Sequence, residues 1–265
     1  MNAAVIEKWK TPIPRLTGRE GRTVYVYLPE CALEDRARRY PVLYMFDGHN
    51  VFFDEDATYG KSWGMREFLE GNGVELMVVA VDCNHRPNNG RLSEYAPFSF
   101  YAEGFGSVPG RGPLFMDWLT GTLKPMIDRR YPTLPGREHT FIAGSSMGGL
   151  MSLYAITAYN AFFSRAAALS PSVWFAGKRL RGLMRETDYT PGDVVYMDYG
   201  SGEMRNHEGI LRAFTQTAEI LAEKGVYVGA RIVPRGEHCE ACWEEQLPFV
   251  FDTLLYPGFG AESGV

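Results

Sequence analysis

The stretch Phe141-Ile142-Ala143-Gly144-Ser145-Ser146-Met147-Gly148-Gly149-Leu150 decides how the rest of the chain is read. Residues 141–143 are a short apolar run suited to a buried strand of a parallel sheet. The run breaks at Gly144. Over 150–159 there is no Gly or Pro, and Leu150, Leu153, Tyr154 and Ile156 supply large apolar groups, so a helix follows. Strand, tight turn and helix is the context in which the pattern Gly-x-Ser-x-Gly, here 144–148, carries chemical meaning. Glycine on each side of Ser146 removes the Cβ atoms that would clash where strand and helix approach. The bend then holds the Ser146 hydroxyl clear of the sheet. The start of the helix also offers a developing oxyanion the backbone N–H of Met147 and a positive dipole end.

Working outward, the 265 residues suffice for one large α/β domain, and 45% hydrophobic with 22% charged residues is an ordinary globular balance that excludes disordered and fibrous classes. A net charge of -5 argues against nucleic-acid binding and fits a small-molecule substrate. The first residues lack a basic start followed by an apolar run, and no later segment has the uninterrupted apolar length of a membrane span, so a cytoplasmic protein is expected. Four scattered cysteines do not resemble a disulfide framework.

In chain order, 8–16 and 22–28 read as an opening antiparallel hairpin. Strands are expected at 41–46, 75–81, 141–143, 165–169, 193–198 and 226–233. Helices are expected at 63–70, 113–131 with a kink at Pro125, 150–159, 209–224 and 239–255. Strands alternating with helices after a hairpin give a doubly wound, mostly parallel sheet, with no linker or repeat to divide 1–265. The segment 83–112, rich in Asn, Gly, Pro and aromatic residues, reads as an irregular, cap-like loop over the site.

A serine hydroxyl is a poor nucleophile without a base, and the base needs an orienting acid. Of the two histidines after Ser146, His207 opens a predicted helix, whereas His238 lies in the turn after the last strand, where a base belongs. Two carboxylates compete for the acid: Asp198 at a strand end and Glu203 beyond Gly200-Ser201-Gly202. The strand ending at Phe46 runs into Asp47-Gly48-His49, where the amide of His49 is placed to be a second oxyanion donor. Trp174, after the strand 165–169, is a candidate pocket wall.

Five segments occur together in one order: Tyr44 to Asn50, Gly144 to Gly149, Ser170-Pro171-Ser172-Val173-Trp174, Asp198 to Glu203, and His238-Cys239-Glu240-Ala241-Cys242-Trp243. In that order and spacing the chain resembles the Putative esterase (esterase D-like) family of α/β-hydrolases, which includes S-formylglutathione hydrolases, feruloyl and acetyl xylan esterases, siderophore esterases and mycolyltransferases. The resemblance implies an α/β-hydrolase fold with Ser146 as nucleophile, His238 as base and Glu203 as acid, and oxyanion amides at Met147 and His49. Arg91 with Glu94 and Tyr95 resembles an Arg-x-x-Glu-Tyr element of several members. Together with Trp63 and Trp174, Arg91 and Tyr95 are the candidate substrate contacts.

Other features have plainer readings. Cys239-x-x-Cys242 is an incomplete zinc or redox set and fits the first turn of the last helix. Asp54-Glu55-Asp56 fits a solvated loop better than a cation site, His85 fits an exposed turn, and Arg91 could pair with Glu94. The expected activity is a serine carboxylic-ester hydrolase acting through an acyl-enzyme on a small ester or thioester, with no cofactor or metal. An acyltransferase using the same intermediate and a non-catalytic binding protein of the same fold are the rivals.

Overall fold

Val42–Phe46 and Met77–Val81 are apolar and buried at every position, as strands covered on both faces must be. In the computed structural model, which describes residues 4–35, 37–87, 90–203 and 209–256, these two strands lie inside an eight-stranded sheet. The strands are β1 (Val5–Pro12), β2 (Gly21–Leu28), β3 (Val42–Phe46), β4 (Met77–Val81), β5 (Phe100–Ala102), β6 (Gly106–Val108), β7 (Thr140–Ser145), β8 (Arg165–Leu169), β9 (Val194–Gly200) and β10 (Tyr227–Val233). The large sheet has the order β1-β2-β4-β3-β7-β8-β9-β10, and β5 pairs with β6 as a separate hairpin. β1 and β2 form the expected antiparallel hairpin, starting at Val5, and β2 meets β4 antiparallel. From β4 to β10 the pairings are parallel. This is the α/β-hydrolase fold.

Alternation along the strands separates two cores. Val42, Tyr44 and Phe46 face one layer with Leu150, Met151 and Leu153, whereas Leu43 and Met45 face the other with Leu247, Val250 and Phe251. The helix Met147–Ala158 lies directly behind β7 and is buried at every position but its last. A helix apolar all round is what such a position requires.

The expected elements are present with three differences. The helix over 113–131 is two α-helices, Gly112–Trp118 and Lys124–Arg130, joined by a π-helical turn, Leu119–Leu123. Pro125 has no N–H to return to the preceding turn, and the backbone opens there instead of kinking sharply at the proline. The closing helix is likewise two, Glu240–Glu244 and Leu247–Leu254, with Pro248 in the first turn of the second. The segment 83–112 is not wholly irregular: it holds the helix Gly90–Glu94 and the hairpin β5–β6. A further helix, Gly177–Glu186, was not anticipated. Among the described residues no helix is long and apolar enough to cross a membrane.

Parallel strands bring the carboxyl ends of β3, β7, β9 and β10 to one edge, where an open α/β sheet places its ligands. The tightest point on that edge is behind β7. A Cβ on Gly144 would lie 2.8 Å from the carbonyl carbon of Gly148, whereas one on Gly182, in an outer helix, meets nothing within 4 Å. Gly144→Ala should therefore lower stability by about 1–3 kcal/mol, and Gly182→Ala should raise it by about 0.5–1 kcal/mol. Thermal and denaturant unfolding of the two variants beside the parent chain measure both.

Candidate active site

β7 ends at Ser145, and the next residue takes the strained turn. Ser146 has φ 58° and ψ -119°, a conformation that costs an L residue on the order of 1–3 kcal/mol. Backbone bonds hold it there: Ser146 N–H donates to Leu169 O of β8 at 2.9 Å, and Ser146 O accepts from Leu150 N–H and Ser172 N–H, each at 3.0 Å. Met147 is the first helical residue, so its N–H has no partner within the helix. Among the described residues the Ser146 hydroxyl has one hydrogen-bonding neighbour, Ser172 Oγ at 3.5 Å.

The turns after β9 and β10 are bound to each other. Ser201 N–H donates to Val233 O, Gly202 N–H to Gly236 O and Arg235 N–H to Ser201 Oγ. This pairing brings Glu203 against His238, with Oε2 2.5 Å from imidazole Nδ1. The other carboxylate oxygen of Glu203 accepts from Gly200 N–H at 3.0 Å and from Ser170 Oγ at 2.7 Å, and Ser170 Oγ in turn accepts from the Trp243 indole at 3.0 Å. Glu203 is nearly buried while His238 is open to solvent on one side.

Asp198, the competing acid, turns elsewhere. Its Oδ1 accepts from Ser170 N–H at 3.0 Å and its Oδ2 from Tyr196 OH at 2.8 Å. Burial pushes its carboxyl up to about 7, against the lowering effect of the Ser170 and Tyr196 hydrogen bonds. Both carboxylates thus converge on Ser170, one on its N–H and one on its hydroxyl. Ser170 has φ 43°, a second strained non-glycine residue, and nothing in its sequence context marked it as the link.

The loop after β3 also carries a left-handed residue. The positive φ falls on Asp47, at 56°, and not on Gly48. Gly48 is required for close approach: a Cβ there would lie 2.8 Å from the Ala80 carbonyl group of β4. The Asp47 carboxylate takes two hydrogen bonds from the Arg91 guanidinium, at 2.6 and 2.7 Å, and Asp47 N–H donates to Tyr95 OH at 3.2 Å. His49 follows in a 3₁₀ turn, with its ring buried and its Nε2 2.9 Å from Thr58 Oγ1. Asn50 Nδ2 donates to Glu240 Oε1 at 2.8 Å, tying this loop to the helix that follows His238.

Ser146, Met147, His49, His238, Arg91 and Trp174 all line one cleft of about 680 Å³. Two candidate contacts do not. Tyr95 is fully buried and holds Asp47 from behind, and Trp63 is buried against Trp243 with ring centres 5.9 Å apart. Arg91 reaches the cleft but pairs with Asp47, and Glu94 pairs with Arg22 at 2.6 Å, so of the two roles open to Arg91 the pair with Glu94 does not form. The acidic loop is tied down: Asp54 accepts from Ser62 N–H and Oγ, and Asp56 pairs with Lys8. His207 lies outside the described residues.

The family model for Putative esterase matches residues 17–251. The chain belongs to that family. Membership makes ester hydrolysis its class of activity. An uncharacterised Bacillus subtilis protein, YbbA, is 26% identical over 211 residues, 77% of this chain and 79% of YbbA. The siderophore triacetylfusarinine C esterase of Aspergillus fumigatus is 26% identical over 140 residues, 51% of this chain and 45% of that enzyme. The crystal structure of an IroE-like serine hydrolase from Shewanella oneidensis superposes with a TM-score of 0.71 at 18% identity, over 95% of this chain and 78% of that one, and supports the α/β-hydrolase fold.

The buried Asp198 has a measurable consequence. Its folded value lies above the ordinary carboxylate value, so its contribution to stability is complete below the unfolded pKa and is lost as pH rises through about 7. Asp198→Asn, neutral throughout, should gain about 2–3 kcal/mol relative to the parent between about pH 5 and about pH 8.5. Denaturant unfolding of both proteins across that range tests the sign; a difference that is flat or falls with pH contradicts it.

Proposed function

We propose that this chain is a serine carboxylic-ester hydrolase that works through an acyl-enzyme, with Ser146 as nucleophile, His238 as base and Glu203 as the acid that orients the base. One observation carries the reading. A serine held at positive φ between a strand and a buried helix opens onto the same cleft as an imidazole whose far nitrogen lies 2.5 Å from a buried carboxylate. A buried carboxylate at that distance favours the tautomer protonated on Nδ1. With Nδ1–H donated to Glu203, Nε2 is the nitrogen free to take the serine proton.

The 3.5 Å contact to Ser172 is too long to restrain the Ser146 hydroxyl, so rotation about its Cα–Cβ bond can bring it to the imidazole when substrate enters. Oγ attacks the ester or thioester carbonyl and its proton passes to His238 Nε2. The tetrahedral oxyanion takes the N–H groups of Met147 and His49. His238 returns the proton to the leaving alcohol or thiol, and water repeats the cycle on the acyl-enzyme.

The cleft wall is aromatic. Trp174 and Phe175, with ring centres 5.6 Å apart, face a space also lined by Phe105, Tyr59 and Trp243. Flat rings on the walls suit an ester with a planar or aromatic portion. Siderophore-type esters belong in the first substrate panel because one relative is named for that activity.

Ser146→Ala should lower kcat/KM on a p-nitrophenyl short-chain ester by roughly 10⁴- to 10⁶-fold with the fold intact by circular dichroism. A variant as active as the parent would remove the nucleophile assignment. Glu203→Gln should lose roughly 10³- to 10⁴-fold in kcat, and Asp198→Asn less than about tenfold. The reverse order, in parallel kinetics, would move the acid to Asp198.

A further inference from the structure

The loops after β3 and β4 bring together four side chains that the ester chemistry does not use. His49, Asp82, Cys83 and His85 offer ligand atoms that all lie within 4.8 Å of one another, and three of the four, His49, Cys83 and His85, also line the cleft. We propose that these four residues form a binding site for a divalent first-row transition metal of the zinc type, at the edge of the cleft beside the His49 amide.

Two imidazoles, a thiol and a carboxylate are donors that suit zinc-like ions and suit calcium or magnesium poorly. The more telling feature is the His49 ring. Its Nδ1 is buried 2.7 Å from Asp82 Oδ1, close enough for an ion pair but out of line for a well-formed hydrogen bond. A nitrogen that close to a carboxylate oxygen, but not aligned with it, has its lone pair or proton aimed beside the oxygen. That is how two ligands of one cation are disposed, each aimed at a shared point. The opposite nitrogen, Nε2, lies 2.9 Å from Thr58 Oγ1. A metal-binding histidine commonly has its other ring nitrogen fixed by such a partner, leaving the ligand nitrogen bare. His85 Nε2 lies 2.8 Å from the same Asp82 oxygen, and the two imidazoles meet edge to face with centres 4.6 Å apart.

A tetrahedral zinc site needs ligand atoms roughly 3.3–3.8 Å apart, so shifts on the order of 1 Å would close this one. His85 has the freedom to supply them, since its side chain is more than half exposed and opens toward the cleft. Binding would require the Cys83 thiol to give its proton to solvent, along with any proton on the metal-facing imidazole nitrogens. The competing thiol pair, Cys239 and Cys242, is placed differently. Cys242 Sγ accepts from Glu237 N–H at 3.2 Å, and neither cysteine belongs to a metal-competent cluster among the described residues. A bound ion would cross-link the loop that carries the His49 amide to the loop that leads into Gly90–Glu94.

The test is a Co²⁺ titration of the full chain after chelator treatment, read by its electronic spectrum, followed by Zn²⁺ competition and thermal unfolding. The expected result is one equivalent of Co²⁺ with a thiolate charge-transfer band and tetrahedral d–d bands, displaced by Zn²⁺, and a higher melting temperature with either ion. Cys83→Ser should abolish the charge-transfer band, and His85→Ala should weaken Co²⁺ affinity by about tenfold or more. The Cys239→Ser/Cys242→Ser double variant should keep the band. Absence of the band in the parent, its survival in Cys83→Ser, its loss in the double variant, or unchanged affinity in His85→Ala overturns the site. His85, being exposed, decides the matter even if Cys83→Ser does not fold.

Discussion

The structure turns on one backbone conformation, the positive φ of Ser146 at the junction of β7 and the helix behind it. A serine placed there is disfavoured locally, and it persists because the surroundings over-determine it. Gly144 and Gly148 touch with no room for a methyl group, the serine N–H is taken by β8, and a fully buried helix leaves the bend no space to relax. The fold holds this strained residue so that its hydroxyl is presented at the sheet edge where the other loops arrive.

Those loops are organised by Ser170 more than by Ser146, Glu203 and His238 themselves. It sits at the end of β8 with its own strained φ, its N–H on Asp198, its hydroxyl on Glu203 and the Trp243 indole on its oxygen. One small side chain thereby sorts two nearby carboxylates into different environments. Asp198 is enclosed and pushed toward neutrality, whereas Glu203 keeps one oxygen for His238. Replacing one hydroxyl there would disturb three loops together, because hydrogen-bond networks of this kind do not come apart pairwise.

Most of the architecture was legible because it rests on strong periodic signals. Continuous apolar runs gave the central strands, and their alternation with helical segments gave the parallel sheet. The failures have physical causes. Gly177–Glu186 opens with a glycine and is mostly charged, so its thin apolar stripe did not stand out against a loop. Trp63 and Tyr95 are large and aromatic, which is equally the signature of core, and they proved to be core. The choice between Asp198 and Glu203 depends on which way two side chains turn at the end of a strand. That direction is set by Ser170, about thirty positions earlier in the chain. Arg91, a candidate substrate contact, lines the cleft, but its partner Asp47 lies on a different loop, beyond the reach of any local spacing rule.

The paired hydrogen bonds between Asp47 and Arg91 join two regions that lie more than forty positions apart in the chain. Asp47 sets the entry to the turn that carries the His49 amide, and Arg91 belongs to the short helix that leads into the hairpin whose Phe105 lines the pocket. Displacement of that helix would pull on a charge-reinforced strut that ends two residues before the His49 amide. Sequence drift around Arg91 therefore has to keep that strut in register with the turn after β3.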